Sequence, residues 1–151
     1  MKVLGINLET KSFRIAVMEG SRDAPNLIQK EKVVFNSALS ITALMDWYET
    51  TFLEIIDRVN PDKISIKLTL NGKKDKISKW YYPLGVLHKI AFEKNLPVNE
   101  FIQQNFTANK FNWPKKTDIY THVDEVLGAH PPHWDKNQKY AVFAAWLGLN
   151  Q

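Results

Sequence analysis

The chain contains no cysteine, which removes disulfide scaffolds, zinc ribbons and thiol nucleophiles together. Arginine is almost as scarce, Arg14, Arg22 and Arg58 being the only three. Arginine is the favoured residue for planar, two-pronged readout of guanine and phosphate, so sequence-specific nucleic-acid recognition is not expected. Gly/Ser linkers, low-complexity tracts and internal repeats are missing too, and a single domain over 1–151 is the expectation. The longest apolar run, Tyr140 to Leu149, is about half a bilayer span. The apolar opening is interrupted by Asn7 and Glu9, which does not fit a secretory leader. The expected protein is therefore cytoplasmic and away from membranes.

What is present suffices for a core. Apolar residues make up 44% and aromatic residues 12% of the 151, which excludes a disordered chain. Lysine and arginine number 20 against 16 aspartates and glutamates, a net charge of +4, a mild lean toward anionic partners.

The hydropathy pattern predicts three closely spaced strands, over 2–8, around Phe13, Ile15 and Val17, and over 27–35. The short connections imply an antiparallel meander. Ile41, Leu44, Met45, Tyr48, Phe52, Ile55, Ile56 and Val59 then recur at helical spacing, with Ser40 as N-cap and Asn60-Pro61 as the stop. Alternating Ile64, Ile66, Leu68 and Leu70 predict a fourth strand. A basic loop leads to a helix over about 80–95 and a short strand through Phe101. The stretch 103–132 is less regular, with two short helices expected. A closing helix begins near Asp135, which stands at capping-box spacing from Gln138. A helix precedes each of the last two strands, so right-handed crossovers and parallel pairing follow. The expected architecture is α/β, a mixed five-stranded sheet with helices on both faces.

This order resembles the ribonuclease-H-like fold, and its details resemble the RuvC-type Holliday-junction resolvases. Val3-Leu4-Gly5-Ile6-Asn7 is similar to the superfamily's first strand, which ends in Gly-Ile-Asp. Asn60 through Lys67 resembles the helix-to-strand segment that ends in a catalytic glutamate. Gly85, Leu96, Pro97, Val98 and Glu100 resemble the next helix and strand, and 137–149 the Ala-rich closing helix. A family of small bacterial proteins with a similar first strand and a lysine at the fourth-strand position is more similar still. The opening Gly5 to Thr10 also resembles actin-like and sugar-kinase domains, but Glu9 stands where those need glycine for their phosphate loop.

The resolvase resemblance implies two divalent ions held by clustered carboxylates. Residue by residue, the first-strand aspartate is Asn7 here and the fourth-strand glutamate is Lys67, a cation that repels the ion it should bind. A degenerate site follows: a binding or assembly module, with no catalytic residue and no cofactor. The competing expectation is a metal-dependent nuclease rebuilt from Glu9 and Asp135, with His133 nearby. Against it, Glu9 also suits a solvated turn and Asp135 an ordinary helix cap. Lys67 reads either as a surface lysine or as a point charge for a phosphate. Lys73, Lys74, Lys76 and Lys79 run into Trp80-Tyr81-Tyr82, and Lys115 and Lys116 follow Trp113. Such mixtures of charge and rings suit single strands, or are solvated loops beside core aromatics. His122, His130 and His133 are close in sequence, but Pro131 and Pro132 prevent a shared helix face. Trp113 and Trp134, in irregular segments, could anchor a second copy of the chain.

Overall fold

The computed structural model describes residues 1–150. Three antiparallel strands open it: β1 (Lys2–Leu8), β2 (Ser12–Gly20) and β3 (Pro25–Val34). Helix α1 (Ile41–Val59) leads to β4 (Lys63–Leu68), then α2 (Lys74–Trp80) and α3 (Tyr82–Glu93) lead to β5 (Val98–Ile102). Two 3-10 turns, Gln103–Asn105 and Ala108–Phe111, precede α4 (Ile119–Leu127) and α5 (Lys136–Gly148). The sheet order is β3-β2-β1-β4-β5, with β4 parallel to both β1 and β5. The expected mixed sheet of five strands is present.

Strict alternation divides the sheet into two faces. Leu4, Ile6, Phe13, Ile15, Ile64 and Ile66 point into a core closed by α1 and α3. Val3, Ala16 and Met18 point the other way, into a core closed by α4, α5 and the 3-10 turns. The α1 boundaries follow local chemistry. Ser40 accepts the Ala43 N–H at 3.2 Å, and Asn60 adopts φ 49° before Pro61, as the stop at Asn60-Pro61 requires.

The α5 face is thin where it matters. A Cβ placed on Gly5 would lie 2.1 Å from the Ala141 carbonyl oxygen, and one on Gly148 would lie 2.2 Å from Ser65 Oγ. Side chains are absent at these crossings so that the helix backbone can rest on β1 and β4. This close approach presses the first turn of α5 against the carboxyl end of β1.

Four expectations need correction. The strand ends at Leu68, not Leu70, because β1 and β5 both stop pairing there; Leu70 is exposed. The basic loop is mostly the helix α2, and 80–95 is not continuous. Pro83 lacks an N–H and its ring opposes the carbonyl of Lys79, so the chain breaks at Tyr81 and restarts. The third strand is Pro25–Val34, with Phe35 turning into the core. The capping box is half-formed: Asp135 accepts the Gln138 N–H at 3.0 Å, but the Gln138 side chain donates instead to the Ile15 carbonyl at 2.7 Å.

Gly5→Val is expected to cost about 2 kcal/mol or more, since an overpacked contact here meets backbone. Urea unfolding checks it; an unchanged midpoint would show that α5 has room to lift.

Candidate functional site at the carboxyl end of the first strand

One row crosses the sheet on the α5 face. Lys32 pairs Arg14, Arg14 pairs Asn7, Asn7 pairs Lys67 and Lys67 pairs Phe101. Directly opposed residues in adjacent strands project to the same side, so three cations and one amide stand side by side under the N-terminus of α5.

Arg14 organises the row. Its side chain is 3% exposed, and a buried guanidinium must be paired on most of its edges. Nε donates to Glu9 Oε2 at 2.8 Å, while Nη1 and Nη2 donate to the two Asp135 carboxylate oxygens, each at 2.9 Å. Nη1 also donates to the His133 carbonyl at 3.2 Å. Glu9 is held from a second side by Ser12 Oγ at 3.0 Å. Lys30 donates to the Pro132 carbonyl, so two cations tie the loop before α5 to the sheet. Burial pushes the Asp135 carboxyl up, but Arg14, the Gln138 N–H and the charge of Lys32 outweigh it and leave its pKa below the usual range.

Asn7 lies almost fully buried beside this pair. Its Nδ2 donates to the Asn137 carbonyl at 3.1 Å, and its Oδ1 has no partner. The geometry selects an amide, since an aspartate would set a carboxylate against that carbonyl. Lys67 is half-buried; Nζ donates to Thr69 Oγ1 at 3.1 Å and lies 4.5 Å from the centre of the Tyr140 ring. Burial, and then repulsion from Lys136, pushes its pKa down.

A hard divalent cation needs several anionic oxygens. Here both nearby carboxylates are turned toward one shared guanidinium, and the flanking positions carry an amide and an ammonium. The residues present do not fit the metal pair that the fold resemblance implies. Glu9, Asp135 and Asn7 are brought together as the rearranged-site expectation requires, but around Arg14. His133 contributes only its carbonyl.

The remaining predicted residues are dispersed. His122 pairs with Glu125 at 2.5 Å, and His130 with the Leu127 carbonyl at 2.8 Å; no group of three metal-ligating side chains occurs among the described residues. Lys73 and Lys74 flank the start of α2, beside the exposed Tyr82. Trp80 packs against Gly72 under the Lys76 ammonium, and Lys79 covers Phe35. Tyr81 donates to the Thr69 carbonyl at 2.7 Å. These rings, except Tyr82, are engaged within the chain. Lys115 and Lys116 are exposed, but Trp113 stacks on Phe111 at 4.8 Å and Trp134 donates to Asp124.

No protein-family model and no curated protein sequence matches the chain. Solved structures do. Thermus thermophilus RuvC in complex with a Holliday-junction substrate matches with a TM-score of 0.79 at 18% identity, covering 97% of this chain and 92% of that one. The yeast mitochondrial Holliday-junction resolvase matches at 0.63 and 10% identity, over 96% and 76%. The fowlpox virus resolvase with junction DNA matches at 0.54 and 15% identity, over 99% and 94%. The chain has a ribonuclease-H-like fold. Within that class its architecture is that of the RuvC-type resolvases.

Arg14 is the functional residue that sequence reading missed. Its signal was available: between Phe13 and Met18 every residue but Arg14 is apolar, and a charge in a strand buried on both faces requires a partner.

Arg14→Met is expected to destabilise by about 3 kcal/mol, because it leaves two carboxylates facing each other without a cation; chemical denaturation measures it. A depressed Asp135 pKa stabilises the fold above the unfolded value, near about 3.9, and the contribution disappears as pH falls through the lower folded value. Asp135→Asn should therefore flatten the acid limb of the stability–pH curve.

Proposed function

We propose that the chain is a RuvC-like nucleic-acid-binding module that does not cleave. The observation that carries this reading is the Arg14 guanidinium bonded to both Glu9 and Asp135, with Asn7 and Lys67 completing the row. Nuclease chemistry in a two-metal site requires an activated water and a stabilised leaving oxygen, each supported by a metal ion. A guanidinium stabilises charge but activates no water.

Binding needs less. The fold is shared with proteins solved on Holliday-junction DNA, the net charge is +4, and Lys73, Lys74, Lys115 and Lys116 are exposed cations that can meet phosphates. Lysine contacts give salt-dependent binding without base readout. The module therefore follows backbone geometry and is indifferent to sequence.

Gel-shift and cleavage assays on a four-way junction, a duplex and a single strand test the reading. Retention of the junction, weakened by salt, with no cleavage in magnesium or manganese is expected. Replacing Lys73 and Lys74 together should reduce the salt slope by about 2. Metal-dependent cleavage abolished by Glu9→Gln would overturn the proposal in favour of a rearranged nuclease. Failure to retain any of the three nucleic acids would overturn its binding half.

A further inference from the structure

Lys67 is not alone on the open side of the row. Lys136, in the first turn of α5, lies 4.6 Å from the centre of the Tyr120 ring and 5.9 Å from that of Tyr140, the same Tyr140 ring that Lys67 approaches at 4.5 Å. Among the described residues neither ammonium forms an ion pair with a carboxylate, a state they share with most lysines of the chain. Asp135, next to Lys136 in the chain, is taken by Arg14. Two cations thus share the Tyr140 ring, with ring quadrupoles and the Thr69 hydroxyl but no carboxylate to offset them, and Lys136 is close enough to depress the pKa of Lys67 after burial has done so.

The ring is fixed in place. Tyr140 is buried, and its ring meets that of Tyr120 edge-on at 6.0 Å; burial first, and then the neighbouring Tyr140 hydroxyl, pushes the Tyr120 hydroxyl up to about 12. The Tyr120 phenol therefore remains neutral at physiological pH and supplies no negative charge to the lysines. Lys67 also lines a cleft of about 370 Å3 with Thr69, Asn71, Gln103 and Gln104. Its lining combines the Lys67 ammonium with a hydroxyl, three amides and the apolar Leu68, Leu70 and Ile102, and holds no carboxylate; Lys136 lies outside it, over Tyr120, which borders Gln103 and Gln104 in the adjoining cleft.

We infer that Lys67 and Lys136 form a seat for a phosphomonoester, the terminal phosphate of a nucleic-acid strand. The charge balance selects the monoester. An internal phosphodiester carries one negative charge, whereas a terminal phosphate carries nearly two near neutrality, matching two unpaired ammonium groups. Thr69 and the amides of Asn71, Gln103 and Gln104 supply neutral donors for the remaining oxygens. The identity of the carrier as a strand rests on the nucleic-acid reading above; the preference for a monoester does not.

Fluorescence anisotropy with one single-stranded oligonucleotide bearing a 5′-phosphate, a 3′-phosphate or neither tests the seat. It is run beside amide NMR titrations with adenosine monophosphate and inorganic phosphate. A terminal phosphate should tighten binding by about tenfold, the gain of one charge-assisted contact, and all phosphates should shift the Leu68–Asn71 and Gln103–Gln104 amides. Lys136→Met, at an exposed position, should abolish the preference while leaving the unphosphorylated strand within about twofold, and Lys67→Met should abolish the preference as well. Equal affinity for the three strands, or a preference that survives both substitutions, overturns the seat and leaves the nucleic-acid reading standing. If no strand binds but adenosine monophosphate shifts the same amides, the seat stands and the nucleic-acid reading falls.

Discussion

The guanidinium of Arg14 determines how the rest of the site is arranged. Buried on β2, it draws Glu9 from the turn after β1, Asp135 from the start of α5 and the His133 carbonyl from the loop before it. Those groups come from segments more than a hundred residues apart, and one planar cation joins them. A metal ion held by carboxylates would join strand ends to a helix in the same way, but the guanidinium contributes hydrogen-bond direction in place of Lewis acidity. The register of the first two strands positions it, since Arg14 and Asn7 are opposed in the β1–β2 ladder. Asn7 then completes the contact to α5 through Asn137.

The sheet beneath this site divides the labour between its faces. The α1 face is filled with large side chains, including the Phe13, Tyr48 and Phe52 cluster. The α5 face is thin, with glycine and small residues at the helix crossings. Thickness on one side gives burial and thus stability, whereas thinness on the other gives precise placement of a helix N-terminus over the strand ends. The charged row occupies the end of the thin face, where the helix stops covering the sheet.

Much of the fold was legible because strands and long amphipathic helices carry their own periodicity. The three-strand opening and α1 with Ser40 and Asn60 follow from alternation, helical spacing and capping rules, whereas Asn7 and Lys67 are brought to one site only by the resemblance to the resolvase motifs. Short elements were not legible. Helix α2 is rich in lysine and has no apolar stripe, so nothing in its local pattern separates it from a solvated loop. Leu70 continues an alternation that the sheet itself does not, since strand length is set by neighbours that sequence does not display. The site was half legible for a related reason. Asn7, Lys67, Glu9 and Asp135 are found by position in the pattern, but a hydrogen bond between residues 14 and 135 depends on tertiary packing. The aromatic–basic stretches left two readings open in the sequence, and packing decides for the core one at Trp80 and Trp113, both of which are occupied within the chain.

The Asn7 amide pointing at the Asn137 carbonyl makes the site interdependent. An aspartate at position 7 would face a carbonyl oxygen, a glutamate at 67 would enter a place that holds no cation partner for it but Lys136, and loss of Arg14 would leave Glu9 and Asp135 without their shared cation. No one of these positions can be made acidic on its own without stranding a charge that another residue was placed to meet.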